Sequence, residues 1–259
     1  MTAGAGPGGV RALSRLKRVL RPVKPLLLPV WRRVQPLVDS SVAWQTSPPL
    51  QRAMPGPIRP MTKTEFDGVA RRYPYYGARG RYLSVAARIA GELIAASGMT
   101  TALELGPHLR PVVVGADVID RVDDPRLELV PPARLLVHDV TTIPWPIADG
   151  AYDLFVALQV FEHLGTSQNA AFGEVARVAG SAIISVPIDW DMDDPRNCHH
   201  RISRERALSW FLPQVPTRIE VGNPGHRTRL IYVFEDLAAT PSTAARGAER
   251  GPQATPGLA

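Results

Sequence analysis

The sequence "ALELGPHLRPVVVGADVID", residues 102–120, contains two short apolar runs that each lead to an acidic residue or a glycine. The first run ends at Gly106, and the second ends at Asp120. Apolar runs with so little polar alternation are typical of strands covered on both faces, which favours a parallel sheet. Only 15 residues separate Glu104 from Asp120, which hardly accommodates a full helix and two loops. We therefore expect an extended crossover between the two strands.

The flanking sequence alternates helix and strand signals. A helix is predicted over 81–98, where Gly98 ends it, and Ser203 is expected to cap a later helix. The other predicted strands lie at 134–139, 152–159 and 181–187, the other helices at 168–178 and 203–211, and an antiparallel hairpin at 217–221 and 229–235. The predicted fold class is α/β: a Rossmann-like, mostly parallel seven-stranded sheet with a terminal antiparallel hairpin and helices on both faces.

Composition divides the chain into a basic arm over 1–60, a domain over 61–237 and a tail over 238–259 that lacks apolar periodicity. The arm contains ten Lys or Arg and one acidic residue, which gives it a net charge of +9. The rest of the chain has a net charge of −3, and the sum is the +6 of the whole chain. Basicity therefore belongs to the arm, and the slightly acidic domain does not favour nucleic acid as a partner.

The arm contains "VRALSRLKRVLR", residues 10–21, whose leucines and valines share one helical face and whose arginines share another. One interpretation is a helix that lies on an anionic membrane surface or on an acidic partner; the alternative is a solvated or domain-packed helix. The longest apolar run, residues 25–31, is too short to span a bilayer, and the single Cys198 cannot form an intramolecular disulfide. We expect a cytoplasmic protein, peripheral at the membrane if the arm binds lipid.

Open parallel sheets bind ligands at the carboxyl ends of their strands. In this chain those ends carry Glu104 with Gly106, then Asp120, then Asp139, and the strand at 152–159 is followed by "VFEHL". Four such strand ends in order make a stronger signal than any one of them alone.

These residues resemble class I S-adenosylmethionine-dependent methyltransferases over roughly residues 80–237, most specifically in "LLVHDVTTIPWPIADGAYDLFVALQVFEHL", residues 135–164. Glu-Leu-Gly-Pro followed by an Arg-Pro pair resembles a variant of the first motif in which the next helix is shortened or lost. The resemblance implies S-adenosylmethionine as the cofactor.

The resemblance also implies roles for particular residues. Asp139 with Val140 would meet the adenine, Asp120 would accept the ribose hydroxyls, and the main chain around Gly106 would pass the methionine part, with Glu104 closing the strand before it. His108 and Arg110 would either face the cofactor carboxylate or form a surface loop. Tyr73, Tyr75 or Tyr76 would either cover the cofactor or pack against the sheet edge.

Methyl transfer to a hydroxyl needs alignment and a base, and a histidine titrating near neutrality suits that role. His163, His199 and His200 follow the fourth and fifth strands of the predicted sheet and are the candidate bases. The alternatives are a loop hydrogen bond for His163 and helix capping for the pair. We expect no metal, because Gln159 stands where related metal-binding enzymes carry the first Glu of Glu-x-x-Glu-His.

The sequence thus predicts an S-adenosylmethionine-dependent methyltransferase acting on a small-molecule or glycan hydroxyl. The alternative is a non-catalytic methyltransferase-like binding or scaffold domain in which "GPHLR" no longer admits the cofactor.

Overall fold

The computed structural model of the protein describes residues 56–223 and 227–237. The predicted helix at 10–21 and the tail at 238–259 lie outside these residues, and the three domain limits stay predictions. Ile58 is buried, and the first strand, Arg59–Pro60, lies within the segment that the sequence analysis assigns to the arm.

The described chain contains five α-helices and nine strands. In chain order the elements are β1 (Arg59–Pro60), α1 (Lys63–Arg72), α2 (Pro74–Gly77), α3 (Gly80–Ser97), β2 (Ala102–Leu105), β3 (Val113–Val114), β4 (Asp117–Asp120), β5 (Leu135–Val137), β6 (Tyr152–Leu158), a 3-10 turn (Phe161–His163), α4 (Gln168–Val178), β7 (Ala179–Pro187), α5 (Arg204–Ser209), β8 (Arg218–Asn223) and β9 (Arg229–Phe234).

The main sheet has seven strands in the order β5-β4-β2-β6-β7-β9-β8. The first five are mutually parallel, while β9 runs antiparallel to both β7 and β8. The strand order reverses at β2, because the next strand of the sheet, β4, lies on one side of it and the later strand β6 lies on the other. This sheet confirms the predicted fold class, including the terminal hairpin. The reversal at β2 places the ligand-binding crevice of such folds at the ends of β2 and β6.

Two apolar layers cover the two faces of the sheet because successive side chains of a strand point to opposite faces. In β6, Leu154 and Val156 pack toward α3, and Phe155 and Ala157 pack on the opposite side. The second layer is rich in aromatic side chains, among them Trp145, Phe161, Phe172, Phe211 and Phe234. The apolar side chains of β6 therefore belong to one layer or the other, and its polar Asp153 accepts the N–H groups of Thr100 and Thr101. The polar side chains that reach the cavity here come from the segment after the strand.

Helix ends follow their local sequence. Thr62 and Glu65 form a capping box at the start of α1, and Ser203 caps α5 by accepting the N–H of Arg206, as predicted. Gly98 ends α3 in the left-handed conformation that glycine adopts most easily, at φ 62°. None of the helices in the described ranges is both long and apolar enough to cross a membrane.

The crossover from β2 to β4 contains no helix. Residues 106–116 run through a turn and β3, which pairs antiparallel with β1. The predicted extended crossover is thus confirmed, and β1 is the element that holds it in place from the N-terminal side.

Candidate active site

A cavity of about 720 Å³ opens at the carboxyl ends of β2 and β6. Its walls come from the α1–α3 segment, the loop after β2, the end of β6 and the loop after β7. The lining includes Glu104, Gly106, Gln159, His163, Trp190 and His199. The cavity therefore joins the predicted first cofactor motif to two of the predicted bases.

Gly106 is required at the mouth of this cavity for two reasons. Its φ of 60° is left-handed, and a Cβ there would approach the Val160 side chain to 3.2 Å. Its N–H donates to the carbonyl oxygen of Ile119 at 3.0 Å, which holds the turn against β4. The main chain at this turn therefore borders the cavity without a side chain.

Glu104 lies beneath the turn and is almost completely buried. One carboxyl oxygen accepts the N–H groups of Val112 at 2.8 Å and Val113 at 3.2 Å. Burial raises the pKa of Glu104 to about 8. Its side chain thus ties the crossover to the end of β2 while forming part of the cavity wall.

Tyr76 holds the other half of the crossover loop. Its hydroxyl accepts the N–H groups of Leu109 at 3.0 Å and Arg110 at 3.2 Å and donates to the carbonyl oxygen of Pro107 at 3.0 Å. The ring is buried and stacks on His108, with ring centroids 6.3 Å apart and planes 6° from parallel. All three hydrogen-bonding positions of the hydroxyl are used, so Tyr76 replaces the missing helix as the support of this loop.

The charged and aromatic residues around the loop divide between its support and the cavity rim. The Arg110 guanidinium forms ion pairs with Glu65 at 3.0 Å and Glu128 at 3.4 Å, so its charge is already balanced. Tyr75 is half exposed on the cavity lining, with the Arg79 guanidinium 3.4 Å above its ring. Tyr75 therefore has the position expected of a covering residue, and Tyr76 that of a packed one.

The remaining predicted cofactor residues follow β4 and β5. The carboxylate of Asp120 accepts the N–H of Val122 at 3.2 Å, and Asp139 accepts both the N–H and the hydroxyl of Thr141. The hydrogen bonds from Thr141 lower the pKa of Asp139 against the opposing effect of its burial. Val140 is buried, and its carbonyl oxygen accepts the indole N–H of Trp145. These three residues do not line the 720 Å³ cavity.

The structure brings two of the three predicted bases together. The rings of His163 and His199 are 4.9 Å apart, and the Cys198 Sγ lies 3.2 Å from Nδ1 of His163 and 3.5 Å from Nδ1 of His199. Burial lowers the pKa of both imidazoles, and for His199 the neighbouring His163 and Arg229 lower it further. Their surroundings therefore favour the neutral form of both rings.

His200 has a different environment. Its Nδ1 accepts the N–H of Met192 at 3.1 Å, and its backbone bridges to Trp190. This contact holds the loop after β7 and leaves His200 off the cavity lining. Of the histidine pair, the structure thus puts only His199 at the cavity.

Glu162 is the most unusual side chain of the site. It is buried in the 3-10 turn after β6, and neither carboxyl oxygen has a hydrogen-bond partner in the described part of the chain. Its Oε1 lies 3.6 Å from Nε2 of His199, and burial raises the pKa of Glu162 to about 8. A buried carboxyl group without a hydrogen bond is costly, which favours a functional role.

Two further residues belong to the site: Gln159, which the sequence analysis considered only as a missing metal ligand, and Arg229, which it did not consider. Gln159 has a left-handed φ of 61°, which is strained for a side chain of this size, and its Oε1 accepts the Nε–H of Arg229 at 3.0 Å. The Arg229 guanidinium lies over the rings of Tyr82 and Trp190, at 4.9 Å and 4.7 Å. The one sequence signal for this pair is the polar Gln159 at the end of an apolar strand.

Comparisons with known proteins give a distant structural similarity. No protein-family model matches the chain, and no curated protein matches it. Three of the similar solved structures are the N-terminal domain of EvdMO1 with SAH bound (17% identity, 60% of this chain and 81% of that chain, TM-score 0.42), monomeric WbdD (15%, 58% and 40%, 0.41) and the N-methyltransferase NodS from Bradyrhizobium japonicum WM9 (16%, 61% and 96%, 0.44). The match thus spans less than half of the WbdD chain, and the fold assignment comes from the strand order itself.

Proposed function

We propose that this protein is an S-adenosylmethionine-dependent methyltransferase that methylates a hydroxyl group of a small molecule or glycan. The observation that carries the proposal is the sheet order β5-β4-β2-β6-β7-β9-β8 with a cavity at its reversal point, β2. This order, with an antiparallel strand beside the edge, is the arrangement of the class I methyltransferases that the sequence motifs resemble.

The residues present fit the cofactor. Gly106 borders the cavity without a side chain, and Glu104 keeps the loop beside it in position. Asp120 follows the neighbouring strand with lone pairs to accept two ribose hydroxyls, and Asp139 with Val140 follows the next one for the adenine. The five residues predicted from the sequence therefore remain our assignment for S-adenosylmethionine.

When bound, S-adenosylmethionine supplies a methyl group carried on a sulfonium, which needs no further activation. The protein has to hold the acceptor oxygen in line and to take its proton as the new bond forms. His163 and His199 line the cavity in their neutral form and can each accept that proton, whereas His200 is occupied by Met192. We assign the base to the pair His163 and His199.

The acceptor is inferred from the cavity walls. Tyr75, Tyr82 and Trp190 line the cavity with the guanidinium groups of Arg79 and Arg229 over their rings. This wall combines aromatic edges with N–H donors, which suits a small molecule that carries hydroxyl groups. A volume of about 720 Å³ accommodates a ligand of drug size, within the usual range for small-molecule pockets.

Calorimetric titration with S-adenosylhomocysteine tests the cofactor site before any acceptor is known. We expect binding by the intact chain and a loss of at least tenfold in affinity for Gly106→Val, because the new side chain meets Val160 and the left-handed backbone is strained. The matched control is Gly173→Ala in α4, where a Cβ meets no neighbour within 4 Å. No binding by the folded intact chain would favour the non-catalytic alternative.

A further inference from the structure

We propose that His163, Cys198 and His199 bind one divalent transition-metal ion of the zinc class, with the buried carboxylate of Glu162 as the hydrogen-bond partner of the metal-bound His199. Metal binding at this site does not depend on whether the chain transfers a methyl group, so this proposal is independent of the proposed function. Only the role of the ion toward an acceptor, given below, rests on that function.

The distances between the three side chains suit a tetrahedral ion. One ligand atom from each of the three residues can be chosen so that all lie within 4.8 Å of one another. Zinc bonds of about 2.3 Å to sulfur and about 2.0–2.1 Å to nitrogen place the two ligand atoms about 3.6 Å apart in a tetrahedron. The Cys198 Sγ lies 3.2 Å from Nδ1 of His163 and 3.5 Å from Nδ1 of His199. Small shifts of these side chains are enough to receive the ion.

The ligand types select the class of metal. Two imidazoles and one thiolate suit Zn²⁺ and similar borderline-soft ions, whereas Mg²⁺ and Ca²⁺ prefer oxygen ligands. The Cys198 thiol gives its proton to solvent when the sulfur binds the ion. Three protein ligands leave a fourth tetrahedral position open, which is the pattern of catalytic zinc sites.

Glu162 is the independent observation that points to a cation here. Its side chain is fully buried, and no group in the described ranges forms a hydrogen bond with its oxygens. His199 presents Nδ1 to Cys198 and Nε2 to Glu162, with Oε1 3.6 Å away. An ion on Nδ1 leaves the proton on Nε2, which then donates to the carboxylate, as in the carboxylate–histidine–zinc arrangement. Burial of Glu162 is thereby explained.

In the absence of an ion, Nδ1 of His199 has another contact, since the Asn197 Oδ1 lies 2.8 Å from it. Metal binding replaces this hydrogen bond, and Asn197 turns away or contacts the ion from outside. The sequence analysis expected no metal because position 159 lacks a carboxylate. The site proposed here does not include that position, since Gln159 accepts a hydrogen bond from Arg229.

His163 and His199 both line the cavity, so the open position of the ion is adjacent to it. If the proposed function holds, an acceptor hydroxyl bound to the ion would lose its proton more readily, and that proton would pass to solvent. His163 and His199 would then act as ligands, and the ion would take the place of the base assigned to them. This would explain why a cysteine lies between two histidines at the substrate side of the sheet.

The test uses the full-length protein after removal of metal by a chelator. Titration with ZnCl₂ should give one site, and loading with Co²⁺ should give the sulfur-to-cobalt charge-transfer band of a thiolate ligand. Cys198→Ser should abolish that band, and His163→Ala and His199→Ala should each weaken Zn²⁺ binding by at least tenfold. Glu162→Gln should weaken it by about 10–100-fold. Titration with MgCl₂ should give no comparable binding.

His138→Ala is the matched control, because this half-buried histidine lies near the other edge of the sheet, where its Nε2 is 2.9 Å from the carbonyl oxygen of Thr142. Far-ultraviolet circular dichroism and thermal unfolding of each variant identify any loss of fold. The proposal is overturned if the folded protein binds no Zn²⁺ tighter than about 100 μM, or if the three ligand variants bind it as tightly as the control. Titration of the metal-free protein with S-adenosylhomocysteine keeps the two proposals separable, since either can fail alone.

Discussion

The hydroxyl of Tyr76 accepts the backbone N–H of Leu109 at 3.0 Å, which joins the α2 turn to the loop after β2 across 33 residues of chain. The same hydroxyl bonds the main chain at Pro107 and Arg110, so one side chain fixes three residues of a loop that has no helix behind it. The shape of the cavity beside Gly106 therefore depends on a residue outside the first motif.

Tyr76→Phe should destabilise the protein by about 1–3 kcal/mol, because two N–H groups, one of them buried, lose their acceptor. It should also weaken S-adenosylhomocysteine binding, since the loop at Pro107 is released. Chemical unfolding and calorimetry measure the two effects. Tyr75→Phe is the control, because the ring of this neighbouring tyrosine is half exposed. Equal stability of the two variants would contradict the supporting role of Tyr76.

Glu104 should make stability fall as the pH rises. Its pKa is raised to about 8 in the folded chain from an ordinary value of 4.5, so between these values the folded state holds more protons than the unfolded state. The difference for one group contributes a slope of at most about 1.4 kcal/mol per pH unit. The destabilisation from this group is complete above about pH 8 and absent below about pH 4.5.

Glu104→Gln removes this slope while its amide oxygen still accepts the N–H groups of Val112 and Val113. The free energy of unfolding, measured in urea at pH 5, 6, 7 and 8, should therefore decline less with pH in the variant. Glu162 contributes in the same direction in both proteins. Glu235→Gln, at an exposed carboxylate, is the control. Identical slopes for Glu104→Gln and the intact protein would show that Glu104 does not titrate in this range.

The central strands β2, β4, β6 and β7 could be predicted from the sequence because each is largely apolar, and such runs are buried on both faces of a parallel sheet. The extended crossover could be predicted from the small number of residues between Glu104 and Asp120. The residues that support it could not, since the contact of Tyr76 with Leu109 joins distant segments and leaves no periodic pattern. The strand β1 was also missed, because two residues beside a proline carry no strand signal.

At the site, sequence order identified which residues follow the strands but not which of them meet. His199 and His200 are adjacent in the sequence, yet the bridge between Trp190 and His200 turns only the first toward the cavity. Cys198 was considered only as a redox indicator. Its place between two histidines depends on how the loop after β7 folds over the 3-10 turn, a tertiary relationship without a local signal.

The basic arm supports a prediction about membranes. Ten Lys or Arg against one acid over residues 1–60 should give salt-dependent binding to vesicles that contain anionic lipid. Deletion of residues 1–55 retains Ile58 and β1, which belong to the folded domain, and should abolish this binding. Vesicle co-sedimentation at low and high salt is the measurement, with neutral vesicles as the control. If the intact chain does not bind anionic vesicles at low salt, the arm is a solvated or domain-packed segment.

Asp120→Ala tests the ribose assignment. Asp120 is at the end of β4 and half-buried, and its carboxylate accepts the N–H of Val122 within the described chain, so its replacement should leave the fold intact. The loss of two charge-assisted hydrogen bonds to ribose hydroxyls should cost about 2–3 kcal/mol, or about 30–150-fold in affinity for S-adenosylhomocysteine. The exposed neighbour Asp123, changed to Ala, should bind as the intact chain does. Unchanged affinity in Asp120→Ala, beside normal binding by the intact chain, would remove Asp120 from the site. The ribose would then have to be held by another carboxylate, and Asp117 is already occupied by Arg134 and Tyr152.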